Sequence, residues 1–340
     1  MTTSNSFSFT VNASDIVREA MLNIGAIGEA ETATAQEYTD CLRKLNMMVK
    51  QWMGKQDMAP GLKMWTRQRG DLFLGFTKYL YNLGPSGDNW AGGVAALPAP
   101  ANYGVDQLIA ACTAGTAVLT TGVGSTSNFT AGDYIGVQMS TGDLFWSTIL
   151  SINAGAGTVT MNTNITATAG IGAYIFNYTT KAQRPLAILT CLLRDTTNND
   201  TPLNPMTLED YEMLPTKTMT TYQSDPAAYY YESQIGTTTK GSGQLYLDVG
   251  GAQDVTKSLH IVYLRPVMDL VNPGDNPEYP QQWYRPLCWG LAREIAGMFD
   301  AVWTPEMQQN YMEACAMARE ADSDTTTFYF QRDAGSPYDP

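Results

Sequence analysis

Few side chains in this sequence are of a type that could carry a reaction. One histidine, His260, sits on an alternating pattern beside Val262 and Leu264. A single imidazole placed that way reads as a packed or surface residue of a strand rather than as a general base. Glu209 and Asp210 are the most visible paired carboxylates. A glycosidase needs two carboxyl groups facing one cleft, whereas adjacent residues on a helix point to different faces. Their place at the start of a helical pattern fits helix-terminus chemistry instead. The run Tyr229-Tyr230-Tyr231 can be read as a sugar platform or interface anchor, or as core and surface tyrosines alternating along a strand.

The five cysteines, Cys41, Cys112, Cys191, Cys288 and Cys315, include no C-x-x-C pair, so neither a disulfide framework nor a thiolate metal site is expected. No phosphate-binding loop, dinucleotide fingerprint or nucleophile elbow occurs, and Gly122-x-Gly124 and Gly241-x-Gly243 read as turn glycines. The seventeen methionines, Met47-Met48 among them, are read as fillers of helix cores or as an adaptable binding surface. The expectation is a protein that is not an enzyme, with no catalytic, cofactor-binding or metal-binding residue.

Composition narrows the class further. Lys and Arg total 20 against 33 for Asp and Glu, a net charge of -13 that disfavours an outward surface for nucleic acid. With 340 residues and 44% hydrophobic content, two or three structural units are expected. Residues 1–13 lack a basic stretch leading into an apolar run, and no segment is apolar for the roughly 18 residues of a membrane span. No signal peptide and no membrane partner are expected, so Asn12-Ala-Ser14 and Asn164-Ile-Thr166 are not read as glycosylation sites.

The elements that must position these residues follow from periodicity. Ile16, Val17, Ala20, Met21, Ile24 and Ile27 recur at helical spacing over residues 14–27, with Ser14 placed to cap the first turn. Thr34-x-x-Glu37 is a capping box opening a second helix to about Lys55, with Tyr38, Cys41, Leu42, Leu45, Val49, Trp52 and Met53 on one stripe. Residues 63–66 and 71–83 read as strands closed by Gly84-Pro85-Ser86-Gly87, and residues 91–104 as a linker or extended arm.

Residues 106–180 have few charges and five short apolar runs, at 117–119, 134–137, 145–152, 158–161 and 174–178. Turn residues separate the runs, which fits a small antiparallel barrel or sandwich with Phe129, Trp146 and Ile149 in its core. Strands resume at 186–194, 228–235, 243–247 and 258–264, with a short helix at 207–214. Residues 265–280, with Pro266, Pro273, Pro277 and Pro280, read as an irregular connector.

Leu287, Leu291, Ile295 and Phe299 then mark a helical face, on which Pro286 demands either a kink or a start near Arg285. Thr304-Pro305-Glu306 opens the last helix, with Met307, Tyr311, Ala314, Cys315 and Ala318 inward. The fold class expected is α+β. Residues 1–62 plus 281–324 form a helical unit from both chain ends, 63–105 plus 181–280 a central antiparallel β region, 106–180 an inserted small β-barrel or sandwich, and 325–340 an arm.

The order of these pieces resembles the head-to-tail adaptor family of short-tailed bacteriophages, also called packaged-DNA stabilisation or tail tubular proteins. The likeness rests on residues 14–28 with 34–54, then 65–84, then Asp225-Pro226-Ala227-Ala228-Tyr229-Tyr230-Tyr231, and finally 280–298. It covers the chain outside residues 106–180.

The resemblance implies a virion structural protein assembled in the host cytoplasm as a dodecameric ring at the capsid-tail junction, between the portal and the tail nozzle or tube. It implies no metal or nucleotide, and DNA only as non-specific passing cargo. It also implies a C-terminal arm that clasps the portal, and Phe328, Tyr329, Phe330, Pro337 and Tyr338 are the aromatic and proline anchors available for that portal-binding role. The inserted segment departs from the smallest members, and its role stays open between decorating the ring and holding a fibre or nozzle subunit. Two other classes stand beside this reading: a tail-fibre or receptor-binding protein whose β-domain binds carbohydrate, and a tail-associated hydrolase using carboxylates.

Overall fold

The computed structural model describes residues 9–54, 66–93, 103–215, 225–233, 241–248 and 254–321. The fold is α+β, and the chain divides into two units, Met1–Trp65 with Val267–Pro340 and Thr66–Pro266. Among the described residues there are five α-helices: α1 (Ala13–Asn23), α2 (Ala35–Gly54), α3 (Leu208–Glu212), α4 (Tyr284–Ile295) and α5 (Pro305–Ala321). All but α3 build the first unit, so helices from both chain ends share one core.

Local chemistry sets the helix limits. The side chain of Asn12 accepts the Asp15 N–H at 2.9 Å while the Asp15 carboxylate accepts the Asn12 N–H at 3.2 Å, a reciprocal cap. Ser14, expected as the cap, lies inside the first turn and donates its hydroxyl to Asn12 at 2.7 Å. The helix ends before Gly25, whose φ of 69° only glycine adopts without strain, and so stops short of Ile27. At α2 the Thr34 N–H donates to Glu37 at 2.8 Å and the Glu37 N–H to Thr34 Oγ1 at 3.3 Å, the expected box. α4 starts at Tyr284 after a 3-10 turn, Gln281–Trp283, so Pro286 falls in the first helical turn, where its missing N–H leaves no bond unmade.

The shared core takes Ile16, Val17 and Met21 from α1, Leu45, Val49 and Trp52 from α2, and Leu287, Leu291 and Ile295 from α4. Gly290 lets α4 approach α2, because a Cβ there would lie 2.8 Å from both Met48 Sδ and the Trp52 ring. The connector also packs here. Val267, Leu270 and Tyr279 are buried in this core, and Asn46 both donates to and accepts from the Leu270 backbone at 2.9 and 3.0 Å. Residues 267–280 therefore belong with the helices and not, as expected from sequence, with the β region. Prolines break their periodicity, so which face they bury cannot be read from spacing.

The second unit stacks two sheets and a curled third. The first has the order β11 (Asp200–Pro202), β10 (Ala187–Arg194), β15 (Ser258–Leu264), β1 (Arg67–Phe73), β3 (Trp90–Gly93). The second has the order β12 (Asn204–Pro205), β13 (Ala228–Glu232), β14 (Gly243–Leu247), β2 (Leu80–Leu83). Every pairing is antiparallel except β12 with β13. Leu72, Leu259, Ile261 and Tyr263 from the first sheet meet Tyr81, Leu83, Leu245 and Leu247 from the second, alternate residues turned inward as a half-buried strand requires.

Residues 71–83 are thus two strands in different sheets, parted by a turn where Thr77 has φ 66°. Residues 91–93 are not linker but the end of β3, paired with Asp71, Gly70 and Arg69 of β1; their glycines hide the strand pattern. The expected five runs of the inserted segment appear as β5 (Val118–Thr120), β6 (Tyr134–Gln138), β7 (Leu144–Asn153), β8 (Thr158–Met161) and β9 (Tyr174–Tyr178), joined by β4 (Gly104–Gln107). Their order is β4-β9-β6-β7-β8-β5, and the Ile109 N–H donates to the Thr120 carbonyl at 2.9 Å, drawing the two ends of the sheet together. Phe129 and Ile149 sit in the barrel core, but Trp146 faces outward.

Trp146 lies against Phe73 on the outer face of the first sheet. The Phe73 ring is 4.8 Å from Trp146, 4.9 Å from Tyr103, 5.3 Å from Phe176 and 5.7 Å from Tyr178. The barrel is consequently packed within the compact unit Thr66–Pro266.

Two outcomes follow. Gly290→Ala should destabilise the protein by about 1–3 kcal/mol in chemical denaturation through overpacking, whereas Gly297→Ala, with open space at its Cβ, should be near neutral. Replacing residues 104–178 by a short linker should expose Phe73 and Val255 and raise the binding of a hydrophobic dye; a dye-silent deletion would show the barrel to be independent.

Candidate functional site

The residues nominated by their chemistry are occupied by structure. In the register of β1 with β15, Asp71 lies directly opposite His260, and His260 Nδ1 is 2.7 Å from the Asp71 carboxylate. Asp71 is 0% and His260 4% exposed. The neighbouring polar groups are equally engaged: Arg194 donates twice to Asp200 at 2.7 Å, and Ser258 pairs with the Tyr103 hydroxyl at 3.0 Å. Ser258, at 1% exposure, is as inaccessible as the pair. A serine, a histidine and an aspartate do share one face here, but a substrate carbonyl has no way to the hydroxyl, so the set is a buried polar seam between sheet and barrel.

Asp210 caps α3, accepting the Thr207 hydroxyl at 2.7 Å and the Thr207 N–H at 3.3 Å, and these bonds hold its carboxyl below the usual carboxylate range. Glu209 lies beside it in the same first turn. The tyrosine run alternates: Tyr229 is buried in the core between the two flat sheets, and Tyr231 donates to the Pro185 carbonyl at 2.6 Å. Tyr230 points the other way and stacks with Tyr211 and Tyr246 at 6.0 and 5.7 Å. All five cysteines are buried. Burial pushes the thiols of Cys191 and Cys288 up to about 12, which keeps them protonated and unreactive near neutrality. Among the described residues no three His, Cys, Asp or Glu side chains are grouped to hold a metal, and no helix is long and apolar enough to cross a membrane.

Among the described residues, one concavity open to a partner, of about 540 Å³, lies in the helical unit, lined by Phe9, Val11, Asp15, Glu19, Tyr284 and Trp289, with Arg285 and Cys288 beside them. Its walls are the acidic outer side of α1 and the first turns of α4. Phe9, 66% exposed, lies 6.1 Å from the Tyr284 ring, and its carbonyl accepts a bond from Gln281 at 2.9 Å. Trp289 is propped edge-on by Trp303 at 6.4 Å. Half-exposed rings beside two carboxylates make a surface for an aromatic or basic segment. Sequence reading missed it, because Phe9 lies in a stretch taken only as polar and because residues on α1 and α4 come from opposite ends of the chain. The arm anchors Phe328, Tyr329, Phe330, Pro337 and Tyr338 lie outside the described residues.

The buried pair should behave as structure and not as catalyst. His260→Leu should cost about 3–5 kcal/mol by leaving Asp71 buried without this partner, and replacing both by apolar residues should recover part of that loss in thermal unfolding. An unchanged melting temperature in His260→Leu would remove the pair from the list of stabilising contacts.

No protein-family model matches the sequence, and no curated protein matches it. Among solved structures, VP17, a capsid protein of bacteriophage P23-77, aligns over 62% of this chain and 77% of that chain with 8% identity and a TM-score of 0.12. Superposition at that level establishes no common fold.

Proposed function

We propose that this protein is a structural component of a bacteriophage virion that works by binding its neighbours, as a head-to-tail adaptor between portal and tail nozzle. The observation that carries this reading is the helical unit itself. Helices from both chain ends close into one body that presents an aromatic and acidic groove, while the nominated His260, Glu209 and Asp210 sit in a buried seam or a helix cap. The order of sequence segments that resembles the adaptor family supports the same assignment. In this reading twelve copies form a ring at the capsid-tail junction, and the aromatic arm from Phe328 to Tyr338 clasps the portal. Of the net charge of -13 per copy, whatever share faces the channel of such a ring would repel phosphates and let DNA pass without sticking.

The carbohydrate-binding alternative has less support. In the barrel, Trp146, Phe176 and Tyr178 are spent on Phe73 rather than offered to a sugar.

Mixing the purified protein with the portal of its phage should give rings on portal in electron-microscopy class averages. Removing residues 325–340 should weaken portal capture by at least about tenfold, the loss expected when anchor aromatics leave an interface. Stable trimers that bind glycans, or turnover of a capsule polymer, would overturn the adaptor reading, and unchanged capture by the truncated protein would free the arm from this role. The ring should also leave duplex DNA unbound at low salt, where attraction to phosphates is strongest.

A further inference from the structure

The inserted barrel turns apolar side chains outward as well as inward. Residues 109–112 close it: the Ile109 N–H donates to the Thr120 carbonyl of β5, while on the other side Cys112 and Ala169 exchange both backbone bonds at 2.9 Å and the Gly172 N–H reaches the Leu108 carbonyl at 2.7 Å. Leu108 and Leu119 point into the barrel core, so Ile109, which follows the first, and Val118, which precedes the second, face out. Val123 lies next to Gly122, where a Cβ would be 3.7 Å from Ile109 Cδ1, and Ile171 precedes Gly172. Leu150 stands at the irregularity of β7 against β8, and β8 in turn pairs Thr160 with Val118. These five side chains are 49–77% exposed. Scattered singly they would need no explanation, but grouped around one closure they form a patch.

The wall that carries the patch is uncharged. No Asp, Glu, Lys, Arg or His occurs in residues 107–132 or 144–180, in a chain whose net charge is -13. The two carboxylates between those segments are committed elsewhere: Asp133 is buried, and Asp143 accepts the N–H groups of Phe76 and Leu144 at 3.3 and 2.8 Å. A partner recognised by its charge would find nothing here to hold it. Two copies of this chain repel wherever their carboxylates come within a Debye length, about 8 Å at physiological salt. On the barrel wall they can touch without that cost. Outward rows of Val, Leu and Thr on β5, β7 and β8 also suit the packing of one sheet face on another at about 10 Å.

We infer that two copies of this protein pair through this wall, the outer faces of β5, β8 and β7 with the closing segment 109–112 meeting the same face of the second copy about a two-fold axis. A self-complementary patch of this kind makes an isologous contact, and Ile109, which stands between the other apolar residues, lies close to the axis. Five apolar side chains per copy put the contact at the small end of specific interfaces, about 1,200 Å² in total or less, so the pair forms at micromolar concentration. The contact uses no residue of the helical unit, and the inference does not depend on the adaptor reading.

Sedimentation velocity of the full-length protein from about 1 to 200 µM, the range for a contact of this size, should show monomers passing into dimers. Raising the salt from about 0.02 to 0.5 M should tighten the pair by roughly twofold to tenfold, because screening removes the repulsion between copies. Ile109→Lys and Ile109→Asp each place like charges across the axis and should weaken pairing by at least about tenfold, while an equimolar mixture of the two should pair again. Both changes fall at an exposed position and leave the core intact. Met312→Lys, at an exposed position on α5, should leave pairing unchanged. Monomers throughout would leave the wall to a different protein and overturn the inference. Pairs that loosen in salt, that ignore both charges at position 109, that respond equally to the change on α5, or a mixture that stays apart would overturn it as well. Portal capture is a separate readout, so failure here and failure of the proposed function are told apart.

Discussion

Neither end of this chain can bury its own apolar face. α1 is too short to be stable alone, and its buried residues Ile16, Val17 and Met21 share a core with α2 and, above all, with α4, which begins some 260 residues later. Each such side chain is worth about 1.5–3 kcal/mol when taken out of water, and that gain is realised only if the ends meet. Loop closure is what permits the arrangement. Doubling the length of the intervening chain adds only about 0.6 kcal/mol to the entropy of closing it, so a large β unit can be carried between the two helical segments at little extra cost. Gly290 then fixes how closely α4 can approach Met48 and Trp52.

The same reasoning applies one level down, inside the β unit. The inserted barrel leaves one side of its wall aromatic, and the first sheet answers with Phe73 at the end of β1, ringed by Tyr103, Trp146, Phe176 and Tyr178. Burying that patch also buries whatever shares the sheet face. Asp71, two residues before Phe73, and His260, opposite it, are closed off from water as a consequence, so each needs the other. The pair is best understood as the polar requirement of an aromatic interface. Arg194 with Asp200 and Ser258 with Tyr103 meet the same requirement along the same seam.

Much of this was legible in the sequence wherever one element buries one face by itself. The capping box at Thr34 and Glu37, the stripe of α2, the five apolar runs of the barrel and the alternation of Tyr229 and Tyr230 are local signals, and the structure uses them as spaced. What was not legible depended on partners distant in sequence. Trp146 looks like a core residue of its own domain until Phe73 is placed beside it. Residues 267–280 look like a featureless connector until Asn46 and Lys50 bind their carbonyls. Ser14 lost the capping role to Asn12 because a cap is decided by which side chain reaches the free N–H at the first turn, and Asp15 returned the bond to Asn12. The candidate site shares this limitation: Phe9, Glu19 and Trp289 carry no motif, and only the meeting of both chain ends makes them one surface.

That origin bears on what the protein can do. A catalytic site requires polar groups held ready and kept accessible, and holding them ready costs stability. Here the polar groups with the right chemistry are built into the fold: Asp71 and His260 hold the seam, Asp210 caps a helix, and the thiols are buried and protonated. The groove is different, because its rings stay half-exposed although the core beside them is closed. Gln281 donates to the Phe9 carbonyl and Trp289 meets the edge of Trp303, so each ring has a neighbour on its inner side. Rings that have such neighbours before a partner arrives lose less conformational freedom on binding, and the energy of covering them goes into affinity. Among the described residues, the side chains of reactive type are committed to structure, and the groove is where half-exposed rings and carboxylates lie side by side.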